Sequence, residues 1–386
     1  MAIPIEGACD RNFGIVKEAF ADNFEMTNEV GASVAIYVDG KLVVDLWGGY
    51  ADKARTKPWT RDTLVNVYST TKGLAAMCAH RLVDQGKLDL EAPVAKYWPE
   101  FAQAGKEKLP VKYLLSHRAG LPAIRKTLPP EALYDWKTMT DAIAAQEPWW
   151  VPGTKHGYHA ITYGWLVGEV VRRASGKTLG TYFRDEIVSP LGIDAHIGLD
   201  AKDDARTSNI IPSPPPKPGE TNPLAALMAD PESITFKAIM NPGAVLAPDV
   251  VNSRAWRGME LPSANGHATA RSIAKAYAAL ARGGEIDGYL VLTPASIKRC
   301  YTEQSFGMDE VLKQRTRVGL GFMLSQPGVE MGPNPHTFGH PGAGGSLGFA
   351  DPTAKVGFAY TMNQMGVDPL LDPRAARLFE ALYKSL

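Results

Sequence analysis

Strand-forming sequence sits at both ends of the chain and helix-forming sequence fills the middle, which constrains the fold more than any other feature. Near the start, ASVAIYVDGKLVVDLWGGY (32–50) holds two β-rich runs joined by Asp39-Gly40, a two-residue hairpin signal. Near the end, RVGLGFML (317–324), SLGFAD (346–351) and KVGFAYTMN (355–363) read as three short strands. Phe13, Val16, Phe20 and Phe24 recur at helical spacing over 11–25, and Pro373 opens a closing helix carrying Ala376, Leu378, Phe379 and Leu382. Strands at both termini with helices beside them predict one antiparallel sheet assembled from the two chain ends.

The middle is mostly helical. LAAMCAHRLVDQG (74–86) repeats Leu74, Met77, Cys78 and Leu82 before stopping at Gly86, and ITYGWLVGEVV (161–171) is apolar almost all round, which predicts burial. TLGTYFRDEIVSPLG (178–192) follows after a Ser-Gly break. Residues 211–223, IPSPPPKPGETNP, cannot form regular structure, because proline removes amide donors and fixes φ. A chain of 386 residues exceeds what one core usually serves. The expected fold is α/β (α+β), with residues 1–75 and 205–386 forming the sheet domain and 76–204 an inserted helical domain.

Lysine plus arginine number 41, as do aspartate plus glutamate, so no charge excess draws the chain to nucleic acid or an anionic membrane. No apolar run approaches the ~18 residues of a spanning helix. The start, MAIPIEGACDRNFGIV, lacks the basic, apolar and small-residue order of an export signal. With Cys9, Cys78 and Cys300 odd in number and scattered, a cytoplasmic protein without disulfides is expected.

Three serines compete as nucleophile. Ser346 lies in Gly344-Gly345-Ser346-Leu347-Gly348, the G-x-S-x-G spelling. In its usual setting that motif sits on a strand-to-helix turn and its histidine comes later in the chain. Here all eight histidines precede Ser346, the last being His340, and the sequence continues as a strand. Ser69 and Lys72 form an S-x-x-K in VYSTTKG (67–73), where β-like residues lead into a helical pattern. Their spacing puts both on one helix face. A serine hydroxyl needs an adjacent base, and lysine serves only if burial or positive potential lowers its pKa from about 10.4. Ser272 and Lys275 repeat the spelling at the start of another helix, where Thr269 caps a first turn expected to be solvated. Spacing alone does not choose between these two. His156/His159 and His336/His340 have metal-compatible spacing but no third ligand nearby, so neither metal nor organic cofactor is expected.

The order of features resembles the serine β-lactamase and penicillin-recognising fold, most closely the family VIII carboxylesterases similar to class C β-lactamases. The resemblance runs from GASVAIYVDGKLVVDLWGGYAD (31–52) through YSTTKG, LLSHRAGLP (114–122), PGTKHGYHAITYGWLVGEVV (152–171) and SPLGI to GHPGAGGSLGFADP (339–352). It implies Ser69 as nucleophile, Lys72 as its activating partner and Tyr158 as the tyrosine of the second element; position alone leaves Tyr158 equally a packed aromatic. It matches the third element, Lys-Thr-Gly, to His340-Pro341-Gly342, and implies an oxyanion hole from the N–H groups of Ser69 and Ala343. Two departures weaken β-lactam recognition: His340 replaces a lysine, and Ala160 replaces an asparagine. The implied substrates are short-chain carboxylic esters with uncharged acyl groups, with Trp149 and Trp150 as candidate walls of an acyl pocket beside His340, Pro341 and Gly342. A β-lactam or amide hydrolase, an acyltransferase and a catalytically silent scaffold remain as alternatives.

Overall fold

The computed structural model describes residues 3–214, 228–243, 247–368 and 370–386. Nine strands form the main sheet. Its order across is Ile5–Cys9, Lys41–Gly49, Gly31–Val38, Val356–Met362, Leu347–Asp351, Phe338–Pro341, Met323–Leu324, Arg315–Val318 and Ser305–Met308, antiparallel throughout. The chain ends meet at its centre, where Phe358 pairs with Ile36 and Tyr360 with Val34. At the hairpin, Asp39 and Gly40 have φ of 45° and 82°, the left-handed pair that lets a two-residue turn follow the strand twist.

One face of the sheet is covered by the helices Gly14–Met26 and Pro373–Ser385, which bury Val16, Phe20, Phe349, Phe358, Leu378 and Leu382 in one apolar cluster. Each such side chain contributes about 1.5–3 kcal/mol on leaving water. The helix Ala270–Ala281 packs on the other face. Its alanines allow a close approach: a Cβ at Gly357 would lie 2.4 Å from the Ala278 nitrogen. A second, continuous apolar cluster runs from Val65 and Leu74 through Trp165 and Tyr182 to Tyr277 and Phe338, and so spans both expected domains.

A small sheet sets up the site. Leu64–Asn66 lies between Gly266–Ala268, antiparallel, and Thr207–Ser208, parallel, with Ala195–Ile197 beyond. It delivers the chain to the helix Thr70–Asp84, which packs on the buried helix Thr162–Ser175 and on the Phe338–Pro341 strand.

Two expectations need correction. RVGLGFML is two strands rather than one: Gly319 passes so near Cys300 that a Cβ would meet its carbonyl oxygen at 2.1 Å, and Gly321 turns the chain at φ 89°. The turn holding Ser272 is buried, not solvated. Thr269 does cap it, but the Ser272 hydroxyl accepts the Asp194 N–H at 2.8 Å. Of the proline-rich segment, Ile211 bridges to Gln364, while 215–223 lie outside the described residues.

Candidate active site

The strand Leu64–Asn66 ends in a tight turn. Tyr68 is buried with φ 42°, a left-handed conformation uncommon for a bulky residue, and the helix begins two residues later. Ser69 caps that helix without a side-chain cap bond, which leaves its hydroxyl available.

Lys72 lies one turn on and is fully buried. Its Nζ is 3.1 Å from Ser69 Oγ, 2.8 Å from the Ala160 carbonyl and 2.9 Å from the Ser263 carbonyl. Two carbonyls can accept the two protons of a neutral amine, leaving the lone pair to receive the Ser69 proton. Burial pushes the amine well below its ordinary pKa, in the direction a base requires. Among the described residues no carboxylate bonds it to hold the proton on.

Tyr158 is buried at the site; burial raises its pKa, with the nearby Ser69 hydroxyl pulling less strongly the other way, so the phenol keeps its proton at neutral pH. Lys72 Nζ stands 4.7 Å from the Tyr158 ring centre. The turn carrying the tyrosine is fixed from behind. Asp309 Oδ1 accepts the Tyr158 N–H at 3.0 Å, and also those of Val311 and Leu312 at 2.8 and 2.9 Å. His117 Nδ1 accepts the His159 N–H at 3.1 Å, and its own backbone adopts φ 58°. His159 gives its Nδ1 proton to the Gly157 carbonyl at 2.7 Å and accepts the Leu121 N–H on Nε2 at 3.1 Å. Burial lowers both imidazoles, His159 to about 3, so they act as neutral struts. Asp309 and Ser263 had no motif around them to mark them.

Opposite Ser69, the Phe338–Pro341 strand and the turn after it bring His340, Pro341 and Ala343 to a cavity of about 310 Å³ that Ser69 and Tyr158 also line. Its other walls include Tyr68, Ile161, Trp256, Met323 and Leu370. His340 donates Nδ1–H to the Pro341 carbonyl at 2.7 Å, so Nε2 carries a lone pair; that atom is buried without a protein partner among the described residues. Burial, then Lys72, lowers the ring to about 3 and keeps it uncharged. Neither the Ser69 nor the Ala343 N–H donates to an acceptor among the described residues.

Other expected pocket residues fall elsewhere. Gly342 does not line the cavity; it is pressed behind the wall. Trp149 and Trp150 do not line it either, which corrects the acyl-pocket assignment. The Trp149 indole donates to the Ala123 carbonyl at 2.8 Å beneath Arg125, and that of Trp150 to the Lys155 carbonyl at 3.1 Å, so both rings brace loops. A larger groove, about 730 Å³, lies far along the helical part, but there Glu169 is already bonded to Trp136, Arg172 and Arg173. Ser346 is buried with its hydroxyl donated to the Val67 carbonyl, and Lys275 is bonded to the Leu191 carbonyl rather than to Ser272. Among the described residues no cluster of His, Cys, Asp or Glu could hold a metal ion.

The Beta-lactamase family model matches residues 16–383. The chain belongs to that family. Among β-lactamase family members it is 38% identical to an esterase/beta-lactamase, LipL, of Mycobacterium tuberculosis, over 95% of this chain and 84% of that one. A crystal structure of a family VIII carboxylesterase matches with TM-score 0.92 at 43% identity, covering both chains fully. A penicillin-binding protein homologue from Caulobacter crescentus matches with TM-score 0.91 at 42% identity, over 99% of this chain and all of that one. Like these esterase and β-lactamase relatives, the chain is a serine hydrolase of the β-lactamase fold.

Proposed function

We propose that the protein is a carboxylesterase that hydrolyses small, uncharged esters through an acyl-enzyme on Ser69. The observation that carries this reading is Lys72: a buried lysine with two carbonyls for its protons and its third direction on Ser69 Oγ. The Ser69 oxygen attacks the ester carbonyl carbon while its proton passes to the Lys72 amine. The N–H groups of Ser69 and Ala343 hold the oxyanion that appears at the tetrahedral stage. As the C–O bond breaks, the Tyr158 phenol protonates the departing alkoxide, and the Lys72 ammonium returns a proton to the phenolate. Water, deprotonated by the same pair, then cleaves the acyl-enzyme and releases the acid. No cofactor enters any step.

A fluorophosphonate probe followed by peptide mass spectrometry tests the assignment. The adduct belongs on the Ser69 peptide; finding it on Ser346 or Ser272, or nowhere, overturns the reading, the last favouring a silent scaffold. The M. tuberculosis relative's name couples esterase with β-lactamase, so nitrophenyl butyrate and a chromogenic cephalosporin should be compared. The ester is expected to turn over faster, because Ala160 offers no amide side chain and His340 no positive charge.

Charge at the cavity mouth points the same way. Asp368, exposed at the rim, is the charged side chain among the described lining residues, and its Oδ1 is occupied with the Leu370 and Leu371 N–H groups. Among the described lining residues, an anionic substrate therefore meets like charge and no cation. Asp368→Asn should shrink the preference for a neutral ester over a carboxylate-bearing analogue about two- to fivefold, the size of an exposed charge interaction. Equal ratios of kcat/KM in parent and variant at low salt would remove Asp368 from this account.

We place the protein in the cytoplasm on the support of its three unpaired cysteines. Among the described residues no helix is long and apolar enough to cross a membrane.

A further inference from the structure

We infer that Ser346, the serine of the G-x-S-x-G spelling, is a positioning residue that holds the two halves of the oxyanion hole in register. The inference rests on the proposed roles of Ser69 and Ala343. The donors of that hole sit on separate pieces of chain, one in the 67–70 turn and one in the 342–346 turn.

Each piece is closed on itself. The Thr70 N–H donates to the Val67 carbonyl at 3.1 Å, enclosing Ser69. The Gly342 N–H donates to the Ser346 carbonyl at 2.7 Å, and the Gly345 N–H to the Gly342 carbonyl at 3.1 Å, enclosing Ala343. Between them stands one hydroxyl. Ser346 Oγ donates to the Val67 carbonyl at 2.8 Å and lies 3.1 Å from Thr70 Oγ1, which donates to it because the serine proton is already given. The bonded residues are 279 and 276 positions apart in sequence, so nothing local keeps the turns together.

The space around this bridge admits no substitute. Ser346 is 1% exposed. A Cβ at Gly342 would fall 2.2 Å from Ser346 Oγ and 2.3 Å from the Val67 oxygen. The two turns therefore meet backbone to hydroxyl with glycine as the only residue that fits at 342. Without the hydroxyl the Val67 carbonyl keeps its bond from Thr70, so the local turn survives, but the link across to Ala343 is lost. Two donors that must converge on one oxygen then lose the hydrogen bond that ties their turns together and are left with packing alone.

This role differs from simple support of the fold in what it should change. A phenyl- or alkylboronic acid forms a tetrahedral adduct on the serine and places an oxygen in the oxyanion hole, whereas the KM for an ester reports mainly the planar ground state. Ser346→Ala should lower kcat about tenfold, below the ~10²–10³ cost of deleting an oxyanion donor outright. Boronic acid affinity should weaken by the same factor, with KM within about twofold. Thr70→Val, which keeps the shape and removes the other arm of the bridge, should give a smaller loss. The double variant should fall short of the product of the two, since both act on one link. Parent-like kcat and boronate affinity in Ser346→Ala would overturn the inference, as would a loss of activity matched by a loss of folded protein in circular dichroism in both single variants. Fluorophosphonate labelling separates the two levels: no label on Ser69 in the parent defeats the proposed function, whereas parent-rate labelling of Ser69 in Ser346→Ala defeats the bridge alone.

Discussion

Ser69→Ala is expected to lower kcat/KM for nitrophenyl butyrate by about 10⁴- to 10⁶-fold, the scale on which loss of a nucleophile removes covalent catalysis. The remainder is what binding and the oxyanion donors supply unaided. Alanine at the first cap position removes no bond the helix depends on, since the Ser69 side chain makes no cap interaction. Circular dichroism and the thermal midpoint should therefore stay near the parent values. A variant with more than a hundredth of parent activity would show that another residue carries the acyl group.

Lys72→Met is expected to cost about 10³- to 10⁴-fold in kcat, with the larger share in chemistry rather than binding. The methionine keeps the length and apolar character of the stem but has no base. The pH dependence supplies the sharper test. In the parent, burial lowers the pKa of the amine and so favours its neutral form, and kcat/KM should fall as pH drops through that lowered value and protonates it. In Lys72→Met the residual rate should lose that acid limb. An unchanged acid limb would assign it to another group, and His340 and His159, both lowered to about 3, titrate too far down to supply one near neutral pH.

Much of the fold was legible because it rests on short-range regularities. The Asp39-Gly40 turn, the strand runs at 32–50 and 355–363, and the helix opened by Pro373 each carry their own periodic pattern. Ser69 and Lys72 share a helix face by spacing alone, and their 3.1 Å contact follows from it. Local pattern failed where a distant segment made the decision. Gly319 breaks a strand because Cys300 passes beside it, and Ser272 is buried because Asp194 reaches it. Trp149 and Trp150, chosen for size and position near the tyrosine motif, have indole groups that bond to the Ala123 and Lys155 carbonyls and are not among the lining residues of the cavity.

The sequence by itself determined the sheet built from two chain ends and the S-x-x-K spacing, and it put Ser346 outside the chain order and strand-to-helix setting of a G-x-S-x-G nucleophile, since each follows from spacing, turn chemistry or order along the chain. Only the tertiary structure decided that the Ala160 and Ser263 carbonyls meet Lys72, that Asp309 and His117 hold the Tyr158 turn, and that Ser346 joins the two turns of the site. Those contacts join residues 42 to 279 positions apart. The carbonyls of Val67, Ala160 and Ser263 could come from any residue and leave no mark on residue identity, and the Asp309 and His117 acceptors stand too far along the chain for local pattern to place them, so packing decides which group arrives.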